Sequence, residues 1–122
     1  MTDTPRVLIA DDDPSIVDAL TMILEDEGYA VEGTYGRETL DKASTWRPHL
    51  LFLDMWMPGM NGREICQQLK RHEQTTRIPV IMLSASKDAE AIAIAAGADG
   101  YLAKPFDIAD VLEVVEKYIH PV

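Results

Sequence analysis

A chain of 122 residues with 47% hydrophobic and 26% charged side chains has the length and balance of one globular domain. Its 21 acidic residues against 11 basic ones give a net charge of -10, which argues against a nucleic-acid surface and suits a cation ligand or a basic protein partner. The single cysteine, Cys66, a polar stretch from Met1 to Arg6 without a signal peptide, and the lack of any apolar run near the ~20 residues of a membrane span make a cytoplasmic location the expectation.

Strand and helix patterns alternate five times along the chain. Arg6 to Ala10 reads as a buried strand, and Asp13-Pro14 supplies an N-cap with proline at the first helical position. Ile16, Leu20, Ile23 and Leu24 form an apolar stripe at helical spacing, ended by Gly28. Ala30 to Thr34 alternates and predicts a second, more exposed strand. A weaker helix is expected from Arg37 to Trp46, stopped before Pro48. Leu50 to Leu53 is apolar throughout and predicts a central strand. After the loop residues Met57 to Gly62, Asn61 and Glu64 suggest a capping box for a helix through Ile65, Cys66 and Leu69. Pro79 to Leu83, with proline in first place, is the fourth strand. Ala89 to Ala96 is the fourth helix, closed by Gly97, and Gly100 to Ala103 is the fifth strand. Asp107 caps a last helix that turns Ile108, Val111, Leu112, Val115 and Ile119 inward. Such alternation means a parallel sheet with helices on both faces.

The chemistry gathers where strands end. Asp11, Asp12 and Asp13 follow the first strand, Asp54 ends the third, and Lys104 follows the fifth. In an open parallel sheet the carboxyl ends of the strands converge on one crevice, where ligands bind. Carboxylates gathered there repel one another: two unit charges about 4 Å apart cost roughly 4 kcal/mol at an effective dielectric of 20. The cluster therefore needs a cation, a proton or a bound partner. Mg²⁺ takes hard oxygen ligands and uses only one or two carboxylates, so a metal-dependent phosphate site is the first hypothesis.

Four segments together resemble the receiver domain of two-component response regulators over nearly the whole length. They are Val7 to Asp13, Leu53 to Gly62, Leu83-Ser84-Ala85 and Gly97 to Phe106, in the right order and spacing. The resemblance implies a doubly wound, flavodoxin-like sheet of five parallel strands in the order 2-1-3-4-5, with all of residues 1–122 forming one receiver domain and no output domain among them. It implies that Asp54 accepts a phosphoryl group from a sensor histidine kinase or a phosphotransfer protein. It also implies Mg²⁺ (with Mn²⁺ as a substitute) on Asp11, Asp12, Asp54 and the carbonyl of Trp56, Asp12 being the more direct ligand. Lys104, the Ser84 hydroxyl and the Ala85 amide would hold phosphoryl oxygens, and a cis peptide would precede Pro105. Switching would move Ser84 toward the phosphoryl group and Tyr101 into the vacated space. The surface of the fourth helix, fifth strand and fifth helix would then change its affinity for an output protein or domain. A homodimer through that surface, around Ile94, Val114 and Tyr118, is a further expectation.

Plainer roles are assigned elsewhere. Asp13 is a helix cap, Asp99 and Asp107 belong to turn and cap contexts, and Cys66 is a buried small hydrophobe. Met55, Met57 and Met60 serve packing and the loop. Tyr101 is read either as a core aromatic or as the switch residue. His49, His72 and His120 show no ligand spacing. A linker could begin at His120-Pro121-Val122.

Two departures from the family pattern carry expectations of their own. The stretch from Ser84 to Lys104 is about two residues shorter than the common receiver spacing, so the fourth helix should be short, shifted or frayed (a family comparison, not a spacing rule). Within it Ile92 and Ile94 cannot both face the core; the exposed one is either bland or part of a partner-binding face. Trp56, two residues after the acceptor, should hinder attacking water. It also leaves no proton donor where an aspartyl-phosphate phosphatase or mutase keeps a second aspartate, so the chain is not expected to be an enzyme beyond its own phosphoryl transfer. A degenerate receiver, binding a partner without phosphorylation, is the alternative.

Overall fold

The computed structural model describes residues 4–119, and only the backbone of Met60. His120 and the linker expected at His120-Pro121-Val122 lie outside the described residues, as do Met1 to Asp3 and the side-chain role expected of Met60.

Five strands form one parallel sheet: β1 (Arg6–Ala10), β2 (Ala30–Thr34), β3 (Leu50–Asp54), β4 (Val80–Ser84) and β5 (Gly100–Ala103). Their order is β2-β1-β3-β4-β5, and every pairing is parallel. The sequence explains the layout. All five residues of β3 and of β4 are buried, as continuous apolar runs require at a sheet centre. β2 is half exposed, as its alternation predicts for an edge. Strand order reverses at β1, so the crevice between the ends of β1 and β3 is the topological switch point.

Helices α1 (Pro14–Asp26) and α5 (Ile108–Ile119) cover one face of the sheet. Helices α2 (Glu38–Trp46), α3 (Gly62–Arg71) and α4 (Ala89–Ala95) cover the other. Val7, Ile9, Phe52, Ile81 and Leu83 point toward α1 and α5, and Leu8, Leu51, Leu53 and Met82 toward the other layer. This is the period-two alternation of strand side chains.

Several expectations shift at element ends. α2 begins at Glu38, because Arg37 serves as a cap with helical dihedrals and no side-chain cap bond. β4 begins at Val80, since Pro79 has no N–H to give the ladder. The Asn61 side chain accepts from the Arg63 N–H at 2.8 Å, but no reciprocal bond from Glu64 completes the expected box among the described hydrogen bonds. α4 is indeed short at seven residues: Ile92 packs against the core and Ile94 is 67% exposed. Ile108 overturns its inward assignment. It stands at the first position of α5, 58% exposed, and with Met22, Ile23 and Leu112 lines a shallow cavity of about 290 Å³ between α1 and α5. One turn further on, Val111 reaches the sheet.

Candidate functional site

Burial delivers the acidic groups to the crevice. β1 is held between two neighbours, so Asp11 leaves the sheet already buried, and its N–H donates to the Thr34 carbonyl. The Asp11 carboxylate accepts the Asp13 N–H at 2.9 Å, which turns the chain toward α1. Asp13 is the helix cap, accepting from both the backbone N–H and the hydroxyl of Ser15. These hydrogen bonds hold its carboxyl below the usual carboxylate range. Asp12 projects into solvent between them.

Asp54 closes β3 and is 6% exposed. A close approach of α3 keeps the next residues in place. The Gly62 N–H donates to the Met55 carbonyl at 2.8 Å, and a Cβ on Gly62 would lie 2.4 Å from the Asp54 carbonyl oxygen. The segment between is a two-residue hairpin, Trp56–Met57 paired with Met60–Asn61. Across the crevice, Lys104 follows β5, with its backbone N–H on the Ser84 carbonyl and a cis peptide to Pro105.

The side chains then meet. Lys104 Nζ lies 2.9 Å from Asp11 Oδ2 and 3.3 Å from Asp54 Oδ1. Carboxylate oxygens of Asp11, Asp12 and Asp54 all lie within 4.8 Å of one another. Burial and the charge of Asp11 push the Asp54 carboxyl up to about 6, against the opposing pull of Lys104. Burial works against the charge on Lys104, but the hydrogen bond and charge of Asp11, reinforced by Asp54, outweigh it and raise its pKa. Three carboxylates facing one ammonium leave two negative charges when all are ionised. Oxygen donors with that residual charge fit a hard divalent cation.

The remaining sequence candidates sit around this centre. Ser84 is buried at the end of β4, its hydroxyl accepting the Ser86 N–H at 3.1 Å. Ala85 follows it at the surface. Tyr101 is half-buried and donates its hydroxyl to the Ser84 carbonyl at 3.3 Å. The Trp56 N–H hydrogen-bonds the Asp54 carboxylate, while its side chain is 54% exposed. Asp99 is structural, accepting from Lys70 and from the Val80 N–H, both at 2.8 Å. Cys66 is buried, which pushes its thiol up to about 11. Of the expected dimer face only Ile94 is open: Val114 and Tyr118 pack against the core, and the Tyr118 hydroxyl donates to the Asp99 carbonyl. Beside Asp11 and Asp12 a cavity of about 580 Å³ is lined by Val17, Gly33, Tyr35 and Glu38. Two contributors escaped the sequence reading. Gly62 looked like ordinary loop glycine, and Ser86 could have been noticed as the second hydroxyl of a Ser-x-Ser run, a pattern that favours local turns.

Comparison with known proteins identifies the family and the fold. The family described as the response regulator receiver domain matches residues 7–116. The DNA-binding dual master transcriptional regulator RpaA of Synechocystis is 41% identical, over 88% of this chain and 46% of its own length. The DNA-binding response regulator MtrA of Mycolicibacterium smegmatis is 39% identical, over 83% of this chain and 44% of its own. The chain thus spans about half the length of these curated relatives. The chemotaxis response regulator CheY4 of Vibrio cholerae superimposes with a TM-score of 0.88 at 32% identity, covering 95% of this chain and 99% of that one.

Proposed function

The chain belongs to the response regulator receiver domain family of two-component signalling, and we propose that in it Asp54 accepts a phosphoryl group from a phosphohistidine on a sensor kinase or phosphotransfer protein. The observation that carries this reading is the Lys104 ammonium bridging Asp11 and Asp54 beside Asp12 at the switch point of the sheet. A carboxylate oxygen of Asp54 attacks phosphorus, the P–N bond to the donor imidazole breaks, and that imidazole keeps the electron pair and takes a proton. Above a pKa of about 6, Asp54 is the ionised nucleophile that this needs. In this reading Lys104 neutralises a phosphoryl oxygen, and the Ser84 hydroxyl and Ala85 amide hydrogen-bond others. Asp11, Asp12, Asp54 and the Trp56 carbonyl would hold Mg²⁺, or Mn²⁺ in its place. The ion would supply charge neutralisation for the incoming phosphoryl group.

In this reading the output starts at the Ser84–Tyr101 pair, at the end of β4 and within β5, with Tyr101 on the α4 side of the sheet. Reorientation of Ser84 and Tyr101 would change the surface of α4, β5 and α5 for an output domain or protein, DNA-binding in relatives such as RpaA and MtrA. A second copy could use the same surface, with Ile94 as its apolar centre. We assign no turnover of external phosphomonoesters, because Trp56 offers no proton two positions after the acceptor, where such chemistry would need one. Among the described residues no helix is long and apolar enough to cross a membrane, and a cytoplasmic site of action suits a kinase partner.

The test is intact mass after incubation with Mg²⁺ and acetyl phosphate. One added phosphoryl mass is expected, absent in Asp54→Asn and absent with chelator. If the adduct is missing and Mg²⁺ also leaves the melting temperature unchanged, the chain acts instead as a phosphorylation-independent binding module.

A further inference from the structure

The cavity of about 580 Å³ beside the acceptor crevice lies between the start of α1 and the connection from β2 into α2. α1 contributes Val17 and Asp18 to its walls, β2 contributes Gly33, and the connection with the first residue of α2 contributes Tyr35 and Glu38. Gly33 is a glycine inside a strand, where it weakens pairing and often marks a bulge or a close approach. The β1–β2 register runs from Arg6↔Ala30 to Ala10↔Thr34 without a bulge. A Cβ on Gly33 would instead stand 3.0 Å from Val17 Cγ1, so a side chain there would crowd the cavity wall. Tyr35 is 61% exposed, a large ring left at the rim. Asp18 and Glu38 are exposed on two different helices, and neither has a hydrogen bond or ion pair among the described residues. No basic side chain lines the cavity among the described residues.

We infer that this cavity receives an arginine side chain of the protein that delivers the phosphoryl group to Asp54. The inference rests on the proposed acceptor role of Asp54. Charge decides the sign of the guest. The charged groups on the walls are all carboxylates, in a chain of net charge -10, so a cation is favoured. Mg²⁺ held by Asp11, Asp12 and Asp54 would leave Asp18 and Glu38 to this second cation, so the two need not share oxygens. The apolar wall decides the kind of cation. Val17 and the Tyr35 ring offer packing to an alkyl stem, which a bare metal ion would leave unused. A guanidinium adds a planar face that stacks on an aromatic ring and a fork of N–H donors that fits carboxylates, and it is less strongly hydrated than an ammonium. Position decides the source. Asp11 and Asp12 line the cavity and also belong to the acceptor cluster, so a protein presenting phosphohistidine to Asp54 lies over the cavity mouth. Because the carboxylates are exposed, the contact acts on partner choice and encounter rate more than on affinity.

The experiment uses the whole chain in saturating Mg²⁺, so that the metal ligands are occupied. N-acetylarginine amide and its neutral isostere N-acetylcitrulline amide are titrated by amide NMR. The arginine probe is expected to move the Val17, Gly33, Tyr35 and Glu38 signals and to bind about fivefold more tightly than the citrulline probe. Asp18→Asn combined with Glu38→Gln should remove that advantage, and Tyr35→Ala should weaken the arginine probe about twofold. Both variants keep the Asp54 adduct formed with acetyl phosphate, read by intact mass. Two phosphohistidine peptides, with arginine or citrulline one helical turn from the phosphohistidine, then serve as donors. The arginine peptide should transfer about threefold faster to the wild type and no faster to the Asp18→Asn, Glu38→Gln protein. Equal binding of the two probes, or an arginine advantage that survives the paired substitution, overturns the site. Equal transfer from the two peptides overturns the donor protein as its source. In both cases a persisting acetyl phosphate adduct leaves the acceptor reading intact. No adduct on the wild type from any donor overturns the acceptor reading and the inference with it.

Discussion

Removing the charge of Asp54 should make the metal-free protein more stable, although it removes an ion pair. The carboxyl is raised from 3.8 to about 6, chiefly by burial and then by Asp11. At 1.36 kcal/mol per unit, a rise of roughly two units means that folding disfavours the ionised form by about 3 kcal/mol. With the side chain 8% exposed, solvent screening takes little from that figure. Asparagine keeps the shape and drops the charge, but its amide must still find an acceptor beside Lys104, so Asp54→Asn should gain about 1–3 kcal/mol at pH 8 in chelator. The sign with pH follows from proton uptake. Between about pH 4 and 6 the native protein binds more protons at Asp54 than the unfolded chain does, so wild-type stability from this group falls as pH rises, then levels off. The advantage of Asp54→Asn should accordingly be absent near pH 4, open through pH 6 and stay constant above. Urea unfolding at pH 4, 6 and 8 measures it. Adding Mg²⁺ at about a hundredfold its Kd should stabilise the wild type by about 2.7 kcal/mol and so erase or reverse the difference. A variant less stable than wild type at pH 8 in chelator, or a difference independent of pH, would refute the electrostatic reasoning.

Lys104→Ala should lower the yield of Asp54 phosphoryl adduct at least tenfold by intact mass, because the charge that neutralises the incoming oxygen is gone. Its unfolding in chelator should also worsen more steeply as pH rises, with Asp11 and Asp54 left facing each other. Gly62→Ala should cost more than about 2 kcal/mol in urea unfolding, since its Cβ meets backbone atoms of Asp54 and Met55 that have no room to move. Trp56→Ala should shorten the lifetime of the acyl phosphate, read by loss of the phosphoryl mass over time; an unchanged lifetime would mean that the exposed ring does not shield the phosphoryl group. Ile94→Asp should reduce any phosphorylation-dependent dimer seen by light scattering, and an unaltered mass would remove Ile94 from that surface.

What the sequence made legible is what one-dimensional periodicity encodes. The continuous apolar runs at Val7 to Ala10 and Leu50 to Leu53 marked central strands, and the acidic residues at their ends had to meet at the switch point of a parallel sheet. Cap chemistry was readable at Asp13 and Asn61, where the side chain bonds the second residue of the helix. The Glu64 half of the box was not, because a return bond depends on a rotamer choice that sequence spacing leaves free. Ile108 was misread for a related reason. An apolar residue at the first position of a helix fits the stripe by spacing, yet the sheet lies a turn further along, at Val111. The closeness of Gly62 to Asp54 is a distance between backbones from different elements, which no local pattern records.

The resting site is balanced so that small additions of charge have large effects. Lys104 is shared, closer to Asp11 at 2.9 Å than to Asp54 at 3.3 Å, so the Asp54 carboxylate keeps the weaker share of the one ammonium found in the cluster among the described residues. That division helps explain why the Asp54 carboxyl is raised to about 6: burial and Asp11 act on it together, while Lys104 compensates only in part. Formation of the proposed acyl phosphate would remove the carboxylate charge from the buried position and set a larger one further out. The Lys104 side chain can follow that charge outward, because its backbone is fixed independently through the Ser84 carbonyl. Ser84 is thus held at its carbonyl by the residue that must stay and at its hydroxyl by Ser86, whose hydrogen bonds open α4. In the proposed switch a site built this way would change the orientation of one hydroxyl without disturbing the sheet, so that sheet stability and switching would be set by different hydrogen bonds.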